Sequence, residues 1–202
     1  RQKHPASSLA RSFGRFTIGS LLAGGLVMFL LIPVYISLKD TSAAGGTLPE
    51  IKNNFDMFAL LGRHLYNTTP TIRSGKLPNI YCGILSVIAV PLFAANKSIS
   101  LRRRLAYLGL LGVLAASLVI NQFDLIWHGL HAPNDLPYRF SFLYSFVLLL
   151  IAYQTIINLG TITGKQIASS AAALIGWIIL IEKFGGDDYE FYSIYVSLLL
   201  VI

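Results

Sequence analysis

The stretch TIGSLLAGGLVMFLLIPVYISL, residues 17–38, decides the fold class of this protein. It contains no charged side chain, and it lacks the regular polar positions that give a soluble helix one wet face. An α-helix needs about 20 mostly apolar residues to cross the hydrocarbon core of a bilayer. We therefore predict that residues 17–38 form a membrane-spanning helix.

The composition of the whole chain agrees with that prediction. Hydrophobic residues make up 54% and charged residues 12% of the 202 positions, and the mean hydropathy is +0.64. Soluble globular domains carry about 25% charged residues. We predict an all-α fold, a polytopic transmembrane helical bundle that occupies residues 1–202 as one domain.

Further apolar runs set the number of spans. Because the chain starts with Arg1 and its sixth run stops at Ile202, too early to cross a bilayer, we expect the sequence to be a piece of a longer protein with five full spans and a truncated sixth. The predicted spans are residues 17–38, 79–95, 105–122, 140–159 and 167–181, with the truncated run at residues 191–202.

Charge placement predicts the orientation of these spans. The segments before the first span, between the second and third, and between the fourth and fifth contain nine basic residues and no acidic one. All nine acidic residues fall on the other side, together with seven basic ones. Short loops rich in Lys and Arg stay in the cytoplasm. Residue 1 is therefore predicted on the cytoplasmic side, with outer loops at residues 39–78, 123–139 and 182–190.

The same features argue against several other classes of protein. The stretch LRRR at residues 101–104 lies in a short loop between two predicted spans, so it orients the chain rather than binding nucleic acid. The net charge of +7 needs no partner beyond anionic lipid headgroups. The single cysteine, Cys82, excludes a disulfide framework within the chain. We predict no cofactor and no nucleic-acid partner, and leave a divalent metal open.

The first outer loop, residues 39–78, contains one amphipathic segment. Asn53 followed by Asp56 has capping-box spacing, which predicts a helix over residues 55–66. Two interpretations stay open: a helix that packs over the outer ends of the spans, or one wall of a lipid-substrate groove with Arg63 or Arg73 near a phosphate. Arginine suits the second because its planar guanidinium binds phosphate through paired hydrogen bonds.

The second outer loop, residues 123–139, has the densest mixture of titratable side chains. Arg139 directly precedes an apolar run, where a charge is costly unless it reaches the headgroup region or is paired. Two interpretations of Arg139 stay open. It anchors the helix at the membrane interface, or it contacts Asp124, Asp135 or a bound phosphate. The candidate residues are Asp124, His128, His131, Asn134, Asp135, Tyr138 and Arg139.

Two of these candidates have the spacing of metal ligands. His128 and His131 are three residues apart, which places both on one face if that segment is helical. A zinc site needs at least one more protein ligand, and none follows at a recognisable spacing. We therefore favour an acid/base or hydrogen-bonding role for these histidines over a metal site.

The second outer loop also carries a resemblance to a known family. The run IWHG at residues 126–129, then Pro133 and Asn134, then LPYRFSFL at residues 136–143 is similar to the characteristic loop of the YfhO family of bacterial membrane proteins. In that family an I-W-H-G-F block precedes P-N-W-F-P-Y-R. The chain departs from this pattern at Leu130, usually Phe, and at Asp135, usually aromatic, which leaves the substrate contacts open.

Three shorter motifs fit the family in the expected order. They are LIPVY at residues 31–35, GKLPNIYCG at residues 75–83 and NKSISLR at residues 96–102. The resemblance covers roughly residues 33–153. It implies a bacterial plasma-membrane glycosyltransferase of the GT-C type.

Such an enzyme takes a sugar from a polyprenyl-phosphate carrier and transfers it to an extracytoplasmic cell-wall polymer such as lipoteichoic acid. Its implied partners are a glycosyltransferase that loads the carrier and a small flippase.

The resemblance also implies roles for the candidate residues. In GT-C enzymes a carboxylate acts as general base and cationic groups stabilise the departing polyprenyl phosphate. We expect that base to lie outside the present sequence, so the catalytic residue stays unknown. The expected roles are phosphate contact for Arg139 and Arg63, hydrogen bonds to sugar or carrier for His128, Asn134 and Tyr138, and orientation of Arg139 by Asp135 or Asp124.

Two other functions remain open at this stage. A transporter or flippase of lipid-linked sugars would need polar or charged residues within its spans and often an internal repeat. Neither is visible in this sequence. A non-catalytic membrane scaffold would use its outer loops only as covers, and the mixed titratable groups around Pro133 argue mildly against it.

Overall fold

The computed structural model describes residues 6–40, 50–71, 77–129, 137–184 and 190–201. Within these ranges the regular secondary structure is helical, apart from an isolated antiparallel bridge between Asn53 and Ile120. The prediction of an all-α fold is therefore confirmed. The helices are α1 (Ala6–Lys39), α2 (Met57–Gly62), α3 (Ile84–Ala95), α4 (Leu101–Val119), α5 (Asn121–Trp127), α6 (Ser141–Ile157), α7 (Gly164–Phe184) and α8 (Phe191–Val201).

The chain divides into two compact units, Arg1–Thr47 and Leu48–Ile202. The first unit contains α1, a helix of 34 residues with Pro33 inside it. Its apolar part, Ala10–Ser37, has a mean hydropathy of 2.1, and none of it is buried within the protein. A long apolar helix is what a lipid environment favours. The predicted span at residues 17–38 lies wholly within this helix.

In the second unit, α3 packs against α6 and α7, while α4 packs against α6. The helix α7 also contacts α2 and α8. The main core is apolar, and its most deeply buried side chains come from four helices and the segment before α3. They are Leu60, Ile80, Phe93, Leu118, Leu148 and Ile151.

Helix length separates the predicted spans into two groups. Among the described residues, Ala10–Ser37 and Gly164–Phe184 are long and apolar enough to cross a membrane. The helices α3 and α6 and the apolar part of α8 have between 10 and 17 residues. The helix α4 has three arginines in its first turn, residues 102–104. Each predicted span thus coincides with a helix, but only two of the helices have the full length and apolarity.

The second predicted span, residues 79–95, is helical only from Ile84 onwards. Gly83 precedes it with φ +94°, a left-handed conformation that interrupts a right-handed helix and suits glycine. The non-helical segment before α3 is held by hydrogen bonds from side chains. The carbonyls of Pro78, Asn79 and Ile80 accept hydrogen bonds from Arg63 Nε (3.1 Å), Ser141 Oγ (3.3 Å) and Ser145 Oγ (3.2 Å).

The helix predicted at residues 55–66 is shorter than expected and has a different cap. It spans Met57–Gly62, and the side chain of Asp56 accepts the Phe58 N–H at 2.7 Å. Asn53 is not the cap, because it belongs to the bridge with Ile120. Tertiary pairing of this segment therefore overrides the local capping pattern.

The same bridge interrupts the third predicted span, residues 105–122. The helix α4 ends at Val119, Ile120 is extended, and α5 begins at Asn121. The Asn54 N–H donates to the Val119 carbonyl at 2.7 Å, and the Asn121 N–H donates to the Lys52 carbonyl at 3.1 Å. These bonds hold the first outer loop against the start of the second, where the candidate site lies.

Candidate functional site

The helix α5 and the residue after it bring Asp124 and His128 together. They are four positions apart, so they share one face of the helix. The His128 Nδ1 lies 2.9 Å from the main-chain carbonyl of Asp124 and 3.3 Å from its Oδ1. Both side chains are largely covered, with exposed fractions of 13% for His128 and 8% for Asp124.

Asp124 connects the two ends of the second outer loop. Its carboxylate accepts the backbone N–H of Tyr138. Burial raises the pKa of the Asp124 carboxyl above its ordinary value, and the nearby His128 and the Tyr138 N–H act in the opposite direction. The carboxylate thus holds the backbone just before α6, and its Oδ1 lies within ion-pair distance of the His128 imidazole.

Tyr138 has φ +60°, an uncommon conformation for a residue with a Cβ. Its buried ring packs edge-on against Phe55 of the first outer loop, with 5.5 Å between ring centroids. Burial and the charge of Asp124 raise the pKa of Tyr138 to about 12. Its hydroxyl therefore stays protonated at neutral pH and can donate or accept a hydrogen bond. Strained backbone of this kind is often found at functional sites.

Arg139 is exposed and makes no hydrogen bond or ion pair to another residue in the described part of the chain. Asp124 contacts His128 and the Tyr138 N–H instead of orienting Arg139. The ring of Trp127 stacks on that of Phe140, with 4.9 Å between the centroids. This contact joins the beginning of the second outer loop to the residue after Arg139. The other candidates in this loop, His131, Asn134 and Asp135, lie outside the described residues.

The Arg63 side chain holds the non-helical approach to α3. It is only 4% exposed, and its guanidinium donates to the Pro78 carbonyl (3.1 Å), the Thr69 carbonyl (2.7 Å) and Asn79 Oδ1 (3.0 Å). This geometry favours the packing interpretation of the first outer loop over a phosphate contact for Arg63. Arg73, the other predicted phosphate ligand, lies outside the described residues.

One buried polar pair was missed by the sequence analysis. His64, 4% exposed, places Nδ1 3.1 Å from the Leu60 carbonyl and 3.2 Å from the Leu61 carbonyl. These acceptors place the proton on Nδ1, so Nε2 accepts from the Tyr144 hydroxyl at 3.0 Å. Burial lowers the pKa of His64 to about 4. No local pattern marks this pair.

The His64–Tyr144 pair borders an apolar cavity of about 290 Å³. The cavity lies among α2, α3, α4, α6 and α7. Its apolar lining includes Val87, Val90, Leu111, Leu148, Leu174 and Trp177. Such a lining suits hydrocarbon and offers few polar contacts.

No group of three or more potential metal ligands occurs among the described residues. The Asp124–His128 pair supplies two such side chains, fewer than the three protein ligands typical of a catalytic zinc site.

Comparison with known proteins connects this geometry to a family. A family model described as "Bacterial membrane protein YfhO" matches residues 4–202. Among curated proteins and among solved structures, no significant match was found. The family match covers the described helices and both outer loops of the candidate site.

Proposed function

The chain belongs to the YfhO family of bacterial membrane proteins, and from that premise we propose that it is a membrane glycosyltransferase of the GT-C type. It moves a sugar from a polyprenyl-phosphate carrier to an extracytoplasmic cell-wall polymer such as lipoteichoic acid. The observation that carries the proposal is the grouping of Asp124, His128 and Tyr138 directly before the exposed Arg139. It combines proton-transfer groups with a cation available to a phosphate.

The proposed architecture is a GT-C-like bundle in the plasma membrane. Five helices cross it, namely α1, α3, α4, α6 and α7, while α8 opens a sixth crossing. The short helix α3 is compatible with crossing because the extended segment before it has its carbonyls bonded to side chains. Non-helical backbone is tolerated at membrane depth only where protein satisfies its polar groups. The charge distribution supports an extracytoplasmic location for the first and second outer loops.

In this proposal Arg139 binds the phosphate of the carrier and stabilises the negative charge that develops as the sugar departs. A guanidinium suits this role because its charge-assisted hydrogen bonds to phosphate are strong. His128, Asn134 and Tyr138 form hydrogen bonds to the sugar or the carrier, and Asp135 orients Arg139. The protein acts with a carrier-loading glycosyltransferase on the cytoplasmic face and a small flippase.

Transport of a lipid-linked sugar is the competing function. A pathway across the membrane would expose polar groups within the spanning helices. In the described helices, several of the buried polar groups are hydroxyls bonded to carbonyls within their own helix or just before it. Examples are Ser86 with the Gly83 carbonyl, Ser117 with Val113 and Thr155 with Ile151. A non-catalytic scaffold is the other competing function, and the mixed titratable groups of the second outer loop argue mildly against it.

The test is Arg139→Ala in the protein expressed in its own host, with membrane abundance checked. We expect sugar incorporation into the cell-wall polymer to fall about 100-fold, the scale seen when one transition-state donor is removed. The polyprenyl-linked donor should accumulate on the outer face of the membrane. The matched control is Arg102→Ala, which removes an exposed arginine from the predicted cytoplasmic side.

Three outcomes separate the candidate functions. Loss of the sugar with outer-face donor supports the transferase and the role of Arg139. Normal sugar levels in the cell-wall polymer would mean that Arg139 only anchors the loop at the membrane interface. Donor that accumulates on the inner face would instead favour the flippase.

A further inference from the structure

The apolar cavity beside His64 and Tyr144 extends from the first outer loop towards the middle of the helices. The first outer loop contributes Leu61 and His64 to its lining, and Tyr144 lies near the start of α6. Two other lining residues, Leu111 and Leu174, lie near the middle of α4 and α7. In the proposed orientation the cavity therefore occupies the outer half of the membrane.

The lining of this cavity favours hydrocarbon. Its two titratable residues, His64 and Tyr144, are hydrogen-bonded to each other at 3.0 Å. The His64 ring is also edge-on to the rings of Tyr144 and Trp177, with 5.5 Å and 6.5 Å between the centroids. A charged ligand would find few partners here, whereas an apolar chain packs against aliphatic side chains and three rings.

The cavity opens at the side of the helices, between α3 and α7. Ala173 of α7 lines the cavity and is exposed, and Trp177 of α7 and Val87 and Val90 of α3 are half-buried. The volume of about 290 Å³ is at the lower end of the usual range for ligand pockets, roughly 300–1,000 Å³. Part of a long chain therefore fits inside, and the remainder can stay in the bilayer.

The position of Arg139 indicates which kind of chain fits. Tyr144 follows Arg139 by five residues, which corresponds to about 7.5 Å of helical rise. A lipid whose phosphate contacts Arg139 would thus have the atoms after its phosphate near Tyr144. In a phospholipid those atoms include the polar ester groups of two acyl chains, which are costly to bury without partners. In a polyprenyl phosphate the hydrocarbon begins at the first carbon after the phosphate.

We propose that this cavity binds the isoprene units that follow the phosphate of the polyprenyl carrier. This inference rests on the proposed glycosyltransferase function. The donor is then held at two places, its phosphate at Arg139 and the first part of its tail in the cavity. The flat, methyl-branched isoprene units pack against the rings of His64, Tyr144 and Trp177.

The first outer loop takes part in this site through apolar contact. Leu61 and the His64 ring form one wall of the cavity. Arg63, which lies between them in sequence, donates to the Pro78 and Thr69 carbonyls instead. The segment around α2 thus covers a lipid site without supplying a ligand for the phosphate.

The test uses the full-length protein in membranes and a polyprenyl phosphate that carries a photoreactive diazirine in its second isoprene unit. After illumination, mass spectrometry should locate the label on lining segments of the cavity, residues 87–91 of α3 and residues 173–177 of α7. Excess unlabelled polyprenyl phosphate should abolish this labelling. Excess phosphatidylglycerol, which is also anionic, should leave it about unchanged.

Ala173→Phe obstructs the opening, and Ala172→Phe is its matched control. Both alanines are exposed on α7, but Ala173 lines the cavity and Ala172 does not. Consecutive residues point about 100° apart around a helix, so the same phenyl ring at position 172 stays outside. We expect Ala173→Phe to weaken carrier binding about 10-fold, since small steric changes in an apolar pocket have effects of this size. Ala172→Phe should be labelled like wild type.

The labelling outcomes decide the inference. Label in the cavity that polyprenyl phosphate displaces and that Ala173→Phe loses supports the tail site. Label elsewhere, equal displacement by phosphatidylglycerol, or unchanged labelling of Ala173→Phe overturns it. Membrane abundance of both variants is measured in parallel, and the labelling of wild type is independent of how either variant folds.

A separate measurement, sugar transfer by the wild-type protein, tests the function on which the inference rests. Transfer without labelling in the cavity overturns the tail site and leaves the transferase intact. Labelling in the cavity without transfer overturns the transferase and leaves a prenyl-lipid site. If both are present, Ala173→Phe should raise the KM for the donor and leave kcat near the wild-type value, because the tail contacts are the same in the ground and transition states.

Discussion

At the scale of single residues, the two described histidines differ in what their rings contact. His128 places Nδ1 against Asp124 and leaves Nε2 without a partner among the described residues. His64 has both nitrogens engaged, by main-chain carbonyls on one side and the Tyr144 hydroxyl on the other. A fully bonded, buried imidazole is a structural element. An incompletely bonded one beside a carboxylate is a candidate for chemistry.

His64 predicts a pH dependence of stability. Its pKa is lowered from 6.5 to about 4, so the unfolded chain takes up the proton first as the pH falls. The contribution of His64 is therefore complete above pH 6.5 and is lost as the pH falls through about 4. The full loss corresponds to about 3 kcal/mol of unfolding free energy.

The measurement is the apparent melting temperature in detergent at pH 7.5 and at pH 4.5, for wild type and for His64→Leu. At pH 7.5 both proteins carry a neutral side chain at this position, so that comparison is the baseline. The wild-type protein should lose more stability on acidification than the variant does. Parallel pH curves for the two proteins would show that His64 does not titrate as its burial requires.

At the scale of elements, the approach to α3 decides how the outer loops are held. Residues 77–83 are not helical, and the carbonyls of residues 78–80 accept hydrogen bonds from side chains of two other parts of the chain. Arg63 contributes from the end of α2, and Ser141 and Ser145 from α6. A helix would have satisfied these carbonyls locally. The non-helical segment instead connects the first outer loop to α6, the helix that follows the second outer loop.

Arg63 should accordingly be sensitive even to a conservative change. Arg63→Lys keeps the charge but cannot reproduce the fork of bonds to the Thr69 and Pro78 carbonyls and Asn79. Leaving buried acceptors unsatisfied costs about 1–3 kcal/mol each, so we expect a loss of about 3 kcal/mol. Apparent melting temperature and membrane abundance report this loss.

Arg103→Lys is the matched control for that change. Arg103 is exposed and makes one long contact, 3.5 Å, to Gln154. Its substitution should leave the apparent melting temperature close to the wild-type value. Equal effects of the two Arg→Lys changes would argue against Arg63 as the residue that holds the extended segment.

At the scale of the whole molecule, charge and apolar length act together. Two described helices are long and apolar enough to span a membrane. For the other helices, the prediction of a span depends also on the charges of the loops between them. The arginines at the start of α4 carry much of that pattern, and one of them, Arg104, also donates to the Ala94 carbonyl at the end of α3. The loop that is predicted to orient the chain thus also satisfies a carbonyl at the end of α3.

The topology predicts which side of the membrane each loop can be labelled from. In a Cys82→Ser background, Glu50→Cys should react with an impermeant maleimide in intact cells, since Glu50 is exposed and lies in the first outer loop. Lys97→Cys, exposed in the predicted inner loop between α3 and α4, should react only after the membrane is opened. Labelling of both positions in intact cells would contradict the proposed orientation.

Local sequence was enough to predict the helical class, the approximate position of most helices and the family. Apolar runs and loop charges carry that information because a bilayer selects for length and hydrophobicity along the chain. The same patterns located the loop that contains Asp124, His128 and Arg139. They missed the extended residues before Ile84 and the break at Ile120, where bonds to distant residues replace helical ones.

The sequence by itself thus determined that this is a helical membrane protein of the YfhO family with polar side chains concentrated in two loops. Only the tertiary structure decided what the polar side chains in those loops contact. The Arg63 side chain donates hydrogen bonds to main-chain carbonyls. His64 forms a hydrogen bond with Tyr144, 80 residues away in the sequence. Contacts of this kind depend on how helices pack, because side chains far apart in sequence meet only after the chain has folded, and no local pattern encodes them.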